Sequence, residues 1–245
     1  MIGGLFTIRE NRPLNRDMVL MRLEGDTSGI VNPGQFVNIR VPELFLRRPI
    51  SVCDWDGEVL TLAYRVVGEG TAALAKMQPG ETLDLLTGLG NGYKTGLAGK
   101  SPLLIGGGAG IPPLYGLGKR LLALGAEPTA LLGYRSAADV YLLEEFRALG
   151  IRVLVSTEDG SLGVKGRVTD LLAGLEYSFF YSCGPEPMFK AISRAISAPG
   201  EYSFEARMGC GFGACMGCSC ETLAGAKRIC RDGPVMESGE IKWES

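Results

Sequence analysis

The chain has 245 residues, 25 Lys+Arg against 27 Asp+Glu, and no histidine. The near balance of charge leaves no footprint for nucleic acid. The missing histidine removes a Ser-His-Asp triad, a histidine general base and histidine-ligated zinc.

With 46% hydrophobic and 21% charged residues, the composition is that of a folded chain. Its 36 glycines are about twice the usual share. They follow no collagen-like period, so they serve turns and close backbone approaches to ligands. The most apolar stretch, Pro102–Gly118, has nine Gly or Pro among 17 residues and is no membrane span. The opening MIGGLFTIRE lacks a basic segment followed by an apolar run. No signal peptide is expected, and the chain reads as cytoplasmic.

In chain order, the first part reads as β. Val37, Ile39 and Val41 share one face, as do Leu60, Leu62, Tyr64 and Val66. Turns fall at Asn32-Pro33-Gly34, Asp56-Gly57 and Pro79-Gly80. Short strands with frequent turns predict a small barrel. The texture changes at Gly99-Lys100-Ser101-Pro102. Strands are then expected at 103–105, 129–134, 151–156 and 177–182. Helices are expected at 113–124, 139–149, 166–173 and 185–196. This βα alternation predicts a parallel sheet with helices on both faces. A strand-like segment, Tyr202 to Met208, then leads into a cysteine cluster. The expected division is 1–98, 99–200 and 201–245, an α/β plus β architecture.

Five of seven cysteines, Cys210, Cys215, Cys218, Cys220 and Cys230, lie within 21 residues, while Cys53 and Cys183 stand alone. An odd number without an export signal argues against a disulfide framework and for metal binding. Cys210, Cys215 and Cys218 have the C-x4-C-x2-C spacing of plant-type [2Fe–2S] ligands, with Cys230 as the fourth. Cys220 is the spare, and its exchange with Cys218 stays open. A zinc ribbon would usually show two separated C-x2-C knuckles; only one is present.

Gly106-Gly107-Gly108-Ala109-Gly110-Ile111-Pro112-Pro113 lies between a strand and a helix. There, backbone N–H groups and a helix N-terminus meet a phosphate. The strict G-x-G-x-x-G fingerprint fails, because Ile111 stands in place of the third glycine.

Arg48-Pro49-Ile50-Ser51 resembles the flavin motif of the ferredoxin–NAD(P) reductase superfamily. Tyr64-Arg65-Val66-Val67 with Gly68-Glu69-Gly70-Thr71 resembles its second flavin segment. Gly106–Pro113 resembles its nicotinamide loop, and Cys183-Gly184-Pro185-Glu186-Pro187-Met188 its C-G-P-x-x-M motif. The segment Glu205–Cys218, with Cys230-Arg231-Asp232-Gly233-Pro234-Val235, closely resembles one family inside the superfamily. That family is the electron-transfer subunit of class 1B, NAD-dependent dihydroorotate dehydrogenase.

The resemblance implies an FAD-binding antiparallel barrel, a nicotinamide-binding parallel α/β domain and a small [2Fe–2S] domain. It implies that Arg48 meets the FAD diphosphate with the Gly68–Thr71 backbone, and that Ser51 lies near the reactive flavin nitrogen. It implies that Cys183, Gly184 and Pro185 shape the nicotinamide pocket. The implied path runs from the FMN of a dihydroorotate-oxidising partner, through the cluster, to FAD and then as hydride to NAD. A heterotetramer is expected from the same source, and Gly209–Gly217 is expected to be the docking face because electron transfer needs the cluster close to the partner's flavin. Related reductase subunits of NADP-linked transhydrogenases and sulfur-reducing hydrogenases share these motifs. Arg135 stands where a 2′-phosphate would favour NADP, whereas the resemblance implies NAD. No acid or base is needed in the hydride step, in keeping with the missing histidine.

Overall fold

The computed structural model describes residues 1–243; the last two residues of the expected 201–245 segment lie outside them. Six strands close an antiparallel barrel: β1 (Ile2–Pro13), β2 (Met18–Glu24), β3 (Phe36–Ile39), β4 (Arg48–Asp56), β5 (Val59–Arg65) and β6 (Thr82–Leu89). Their order around it is β1-β2-β5-β4-β3-β6. Alternation fills the interior with Leu60, Leu62 and Tyr64 of β5 and Val37 and Ile39 of β3. Ala63, from the opposite face of β5, packs with the next domain. Helix α1 (Glu69–Lys76) sits between β5 and β6 and buries Leu74 in the barrel core.

The second unit holds β7 (Leu103–Gly107), α2 (Pro112–Ala123), β8 (Thr129–Tyr134), α3 (Leu143–Ala148), β9 (Arg152–Thr157), β10 (Val164–Lys165), β11 (Phe180–Cys183), α4 (Glu186–Ala195) and β12 (Gly200–Ser203). Beyond it come β13 (Ser219–Thr222), β14 (Gly225–Arg228), α5 (Ile229–Asp232) and β15 (Val235–Glu237). The seven-stranded sheet runs β10-β9-β8-β7-β11-β12-β15, parallel except for β15. The chain builds outward from β7 on one side and returns to its other side with β11. The carboxyl ends of β7 and β11 therefore flank a topological switch point, where such sheets bind ligands.

Three expected elements come out differently. The helix at 139–149 is a 3-10 turn, Ala137–Asp139, then an extended step and the short α3. Leu142 sits at φ 59°, which breaks the helix, and Tyr141 and Leu142 are buried where it breaks. The helix at 166–173 is a single 3-10 segment, Val168–Leu172. The strand-like run Tyr202–Met208 ends at Ser203, because β15 pairs only with Glu201–Ser203. The cluster-bearing segment thus leaves the sheet after β12 and re-enters it as β15.

Candidate functional site

On the barrel, the first turn of β4 carries Arg48, Pro49, Ile50 and Ser51, all half-buried. Arg48 has no ion-pair partner among the described residues. It faces the start of α1, where a Cβ on Gly70 would fall 2.2 Å from its Nε. The N-cap Gly68 brings no side chain to this helix start, and a Cβ there would meet open space. Thr71 Oγ1 accepts from the Val67 and Gly68 N–H groups and donates to the Gly68 carbonyl, which fixes the turn. An unpaired guanidinium beside an uncapped helix N-terminus fits a diphosphate. Tyr64 and Val66 differ from Arg65 in placement. The Tyr64 ring enters the barrel core and half-buried Val66 packs on it. Arg65 turns outward, into the cleft described next.

That cleft, about 440 Å³, lies where barrel and sheet meet, a size usual for ligand sites. Gly107, Gly108, Gly110, Gly184 and Pro185 line it from the sheet. Asn15, Asp17 and Arg65 line it from the barrel. The glycines are small for stated reasons. A Cβ at Gly110 would sit 2.3 Å from the Cys183 carbonyl, and one at Gly107 2.6 Å from Met188 Sδ. A Cβ at Gly106 would sit 2.9 Å from Ile111 Cγ1, so glycine lets the strand end and the loop pack closely there. Gly108 sits at φ 50°, and its carbonyl accepts a 2.6 Å hydrogen bond from Tyr141 Oη. The Tyr141 carbonyl in turn accepts from Tyr134 Oη at 2.7 Å. This relay fixes the loop and explains why the chain breaks its helix at Tyr141.

Cys183 is fully buried at the end of β11. Burial, with the nearby Glu205 charge, pushes its thiol well above the usual range, so it is a neutral wall and not a nucleophile. Ser156, Asp139 and Tyr141 also line the cleft and lie in no sequence motif; Glu205, which opens the cysteine-bearing segment, joins them. Desolvation raises the Glu205 carboxyl pKa, opposed by the Arg65 charge.

The cysteines fall into two contacting pairs. The Cys210 N–H reaches Cys215 Sγ at 3.5 Å, and the Ala214 and Cys215 N–H groups reach Cys210 Sγ at 3.2 and 3.5 Å. The Cys230 N–H reaches Cys218 Sγ at 3.4 Å. Burial acts to raise the Cys210 thiol, yet the N–H groups of Phe212, Cys215 and Ala214 and the Cys215 thiol bring it down to about 6. Burial and the adjoining Cys218 push Cys230 up to about 12. Among the described residues, no three metal-ligating side chains converge as on a single ion. Two pairs of thiols match a dinuclear centre, each iron taking two, better than one tetrahedral zinc. Gly209 and Gly217 leave room beside Cys215, since a Cβ on either would lie 3.2 or 3.6 Å from its sulfur. Cys220 turns away: its thiol faces Met236 Sδ of β15 at 3.7 Å. The barrel reaches this loop through Asn38, whose Nδ2 donates to the Cys210 carbonyl at 3.0 Å.

Comparison with known proteins follows the same division. Residues 205–242 match the model of the iron-sulfur cluster binding domain of dihydroorotate dehydrogenase B. Residues 104–194 match an oxidoreductase NAD-binding domain. The chain is 45% identical to the dihydroorotate dehydrogenase B (NAD(+)) electron transfer subunit of Bacillus caldolyticus, covering 85% of this chain and 86% of that one. It is 42% identical to that of Shouchella clausii, covering 97% of both. A solved NADH-dependent reduced ferredoxin-NADP oxidoreductase superposes with a TM-score of 0.88 at 30% identity, covering 98% of this chain and 90% of that one. A ferredoxin NADP+ reductase from Neisseria gonorrhoeae shares the fold, with a TM-score of 0.68 at 19% identity over 79% of this chain and 89% of that one. The chain belongs to the family of dihydroorotate dehydrogenase B (NAD(+)) electron transfer subunits.

Proposed function

We propose that this chain takes electrons from an FMN-containing dihydroorotate dehydrogenase catalytic subunit and delivers them as hydride to NAD, a step of pyrimidine biosynthesis. The two pairs of cysteines, set against a barrel that abuts a nucleotide cleft, carry the reading. A flavin bound to the barrel supplies the exchange between single-electron and hydride transfer, which neither thiolate-bound iron nor NAD performs alone.

The chain's own residues bind, orient and exclude water. Arg48 and the start of α1, with Gly68, Gly70 and Thr71, are assigned to the FAD diphosphate. Ser51 is assigned a hydrogen bond to the flavin, and Pro49, Ile50 and the Tyr64–Val66 backbone flank it. Gly106, Gly107, Gly108 and Gly110 are assigned to the dinucleotide, with Cys183, Gly184 and Pro185 walling the nicotinamide. Cys210, Cys215, Cys218 and Cys230 would hold the [2Fe–2S] cluster. The cluster loop also presents exposed Phe212 and Met216, which suit it to dock the partner, in a heterotetramer. The reading places the work in the cytoplasm. Among the described residues no helix is long and apolar enough to cross a membrane.

The purified chain should show flavin bands and broad iron–sulfur absorption, and should release FAD. Combined with its FMN partner, it should couple dihydroorotate oxidation to NAD reduction. A colourless protein holding stoichiometric zinc would overturn the reading. So would a coloured protein that supports only NADP-linked transhydrogenation.

A further inference from the structure

One end of the cleft carries more charge than a hydride site needs. Asp17, from the turn between β1 and β2, lies 3.3 Å from Arg65 and 3.6 Å from Arg135. Asp139, from the turn after β8, lies 2.9 Å from Arg16 and 3.9 Å from Arg135. Asp139 Oδ2 accepts from Ser136 Oγ at 2.8 Å, and its backbone carbonyl accepts from Asn15 Nδ2 at the same distance. Its buried Oδ1 is the atom that faces the Arg16 guanidinium. Ser156, at the end of β9, is fully buried in the same wall, and its Oγ is without a partner. An unpartnered buried hydroxyl in the wall that also presents the Asp139 carboxylate points to a ligand with hydroxyl groups. Glu158 and Arg167 complete this end.

In a switch-point fold, the strand beside the glycine-loop strand ends at the adenosine ribose, where a carboxylate selects a 2′-hydroxyl and an arginine a 2′-phosphate. Here that strand is β8, followed at once by Arg135. The arginine alone points to a 2′-phosphate, but two carboxylates already occupy it, one of them supplied by the barrel. We propose that Asp139 accepts the adenosine 2′-hydroxyl and that Asp17 and Asp139 together keep Arg135 from a 2′-phosphate, making this charge cluster the specificity element of the cleft. A phosphate placed there would lose its counter-ion to the aspartates and meet their repulsion. The inference rests on the cleft being the dinucleotide site.

The test is calorimetric titration of the cofactor-loaded protein with 5′-AMP and with 2′,5′-ADP, which differ only in the 2′-phosphate. The unmodified protein should prefer 5′-AMP. Asp17→Asn should tighten 2′,5′-ADP by about tenfold or more and leave 5′-AMP within about twofold. Asp139→Asn should weaken 5′-AMP and tighten 2′,5′-ADP. Adding Arg135→Leu to either should abolish the gain. An unchanged preference in Asp17→Asn, or an original preference for 2′,5′-ADP, would overturn the proposal. So would failure of both fragments to bind. Should buried Asp139→Asn not fold, Asp17→Asn in its turn still decides. Because fragment binding needs no dihydroorotate and no partner, failure here is distinct from failure of the coupled reaction.

Discussion

A methyl group at residue 110 has nowhere to go. Its obstacle is the Cys183 backbone, which cannot move without moving β11. Gly110→Ala should lower stability by about 1–3 kcal/mol, as overpacked cores do, and weaken nicotinamide binding with it. A thermal melt and a nucleotide titration check both. At Gly70 the obstacle is the flexible Arg48 side chain, so alanine there should keep the fold and reduce FAD retention. The cysteines divide in the same way. Cys218→Ser should lose iron and visible absorbance, because Cys218 is one of the paired thiols. Cys220→Ser should keep both, because its sulfur faces Met236. Iron retained by the Cys218 variant and lost by the Cys220 variant would reverse the assignment.

Among elements, the packing of α2 on β4 fixes the barrel to the sheet. Gly116 lets the helix approach so closely that a Cβ would lie 2.7 Å from the Cys53 carbonyl. That carbonyl sits at a register shift between Val52 and Asp54. One turn on, Lys119 of α2 pairs with Asp54. Burial acts to lower the Lys119 pKa, but the hydrogen bond and charge of Asp54 outweigh it and raise it above the usual 10.5. A folded pKa above the unfolded one means the pair's stabilisation is full below about 10.5 and fades as pH rises past the folded value. The difference in melting temperature between the protein and Lys119→Met should therefore be constant at neutral pH and shrink above about pH 10.5. A difference that grows with alkalinity would contradict the pairing. Partly exposed, this pair is a modest clamp beside the close backbone contact at Gly116.

For the whole molecule, the cluster segment is an insertion held at both ends by the main sheet. β12 enters from β11 and β15 pairs back on β12. The barrel grips the same return strand: Asn91 Nδ2 donates to the Val235 carbonyl at 2.7 Å, and the Val235 N–H donates to Asn91 Oδ1 at 3.1 Å. Iron removal should therefore loosen residues 208–232 and leave β12 and β15 intact. Hydrogen exchange before and after chelation should show protection lost in that loop alone. Loss spreading through β11 and β7 would mean that the cluster stabilises the sheet as well.

Much of this was readable from sequence, because it is local chemistry. Cysteine spacing points to a donor set with one exchange open, a glycine loop after a short buried strand points to a phosphate cradle, and period-two alternation names the barrel. Each signal lies in a short chain segment, which decides it. The tertiary structure decided whatever depends on distant partners. Residues 139–149 have helical periodicity, yet the chain breaks there so that Tyr141 can reach Gly108. Tyr64 resembles part of a flavin segment, and strand alternation sets its ring in the barrel core. Cys220 and Cys218 are two residues apart, and sequence leaves their exchange open; the fold sets Cys218 beside the Cys230 N–H and Cys220 against Met236. Arg135 reads as a phosphate ligand until a carboxylate 118 positions earlier is folded against it. Sequence determines which chemistries the chain carries, while charge pairing and close packing across domains decide which of those groups are free to act.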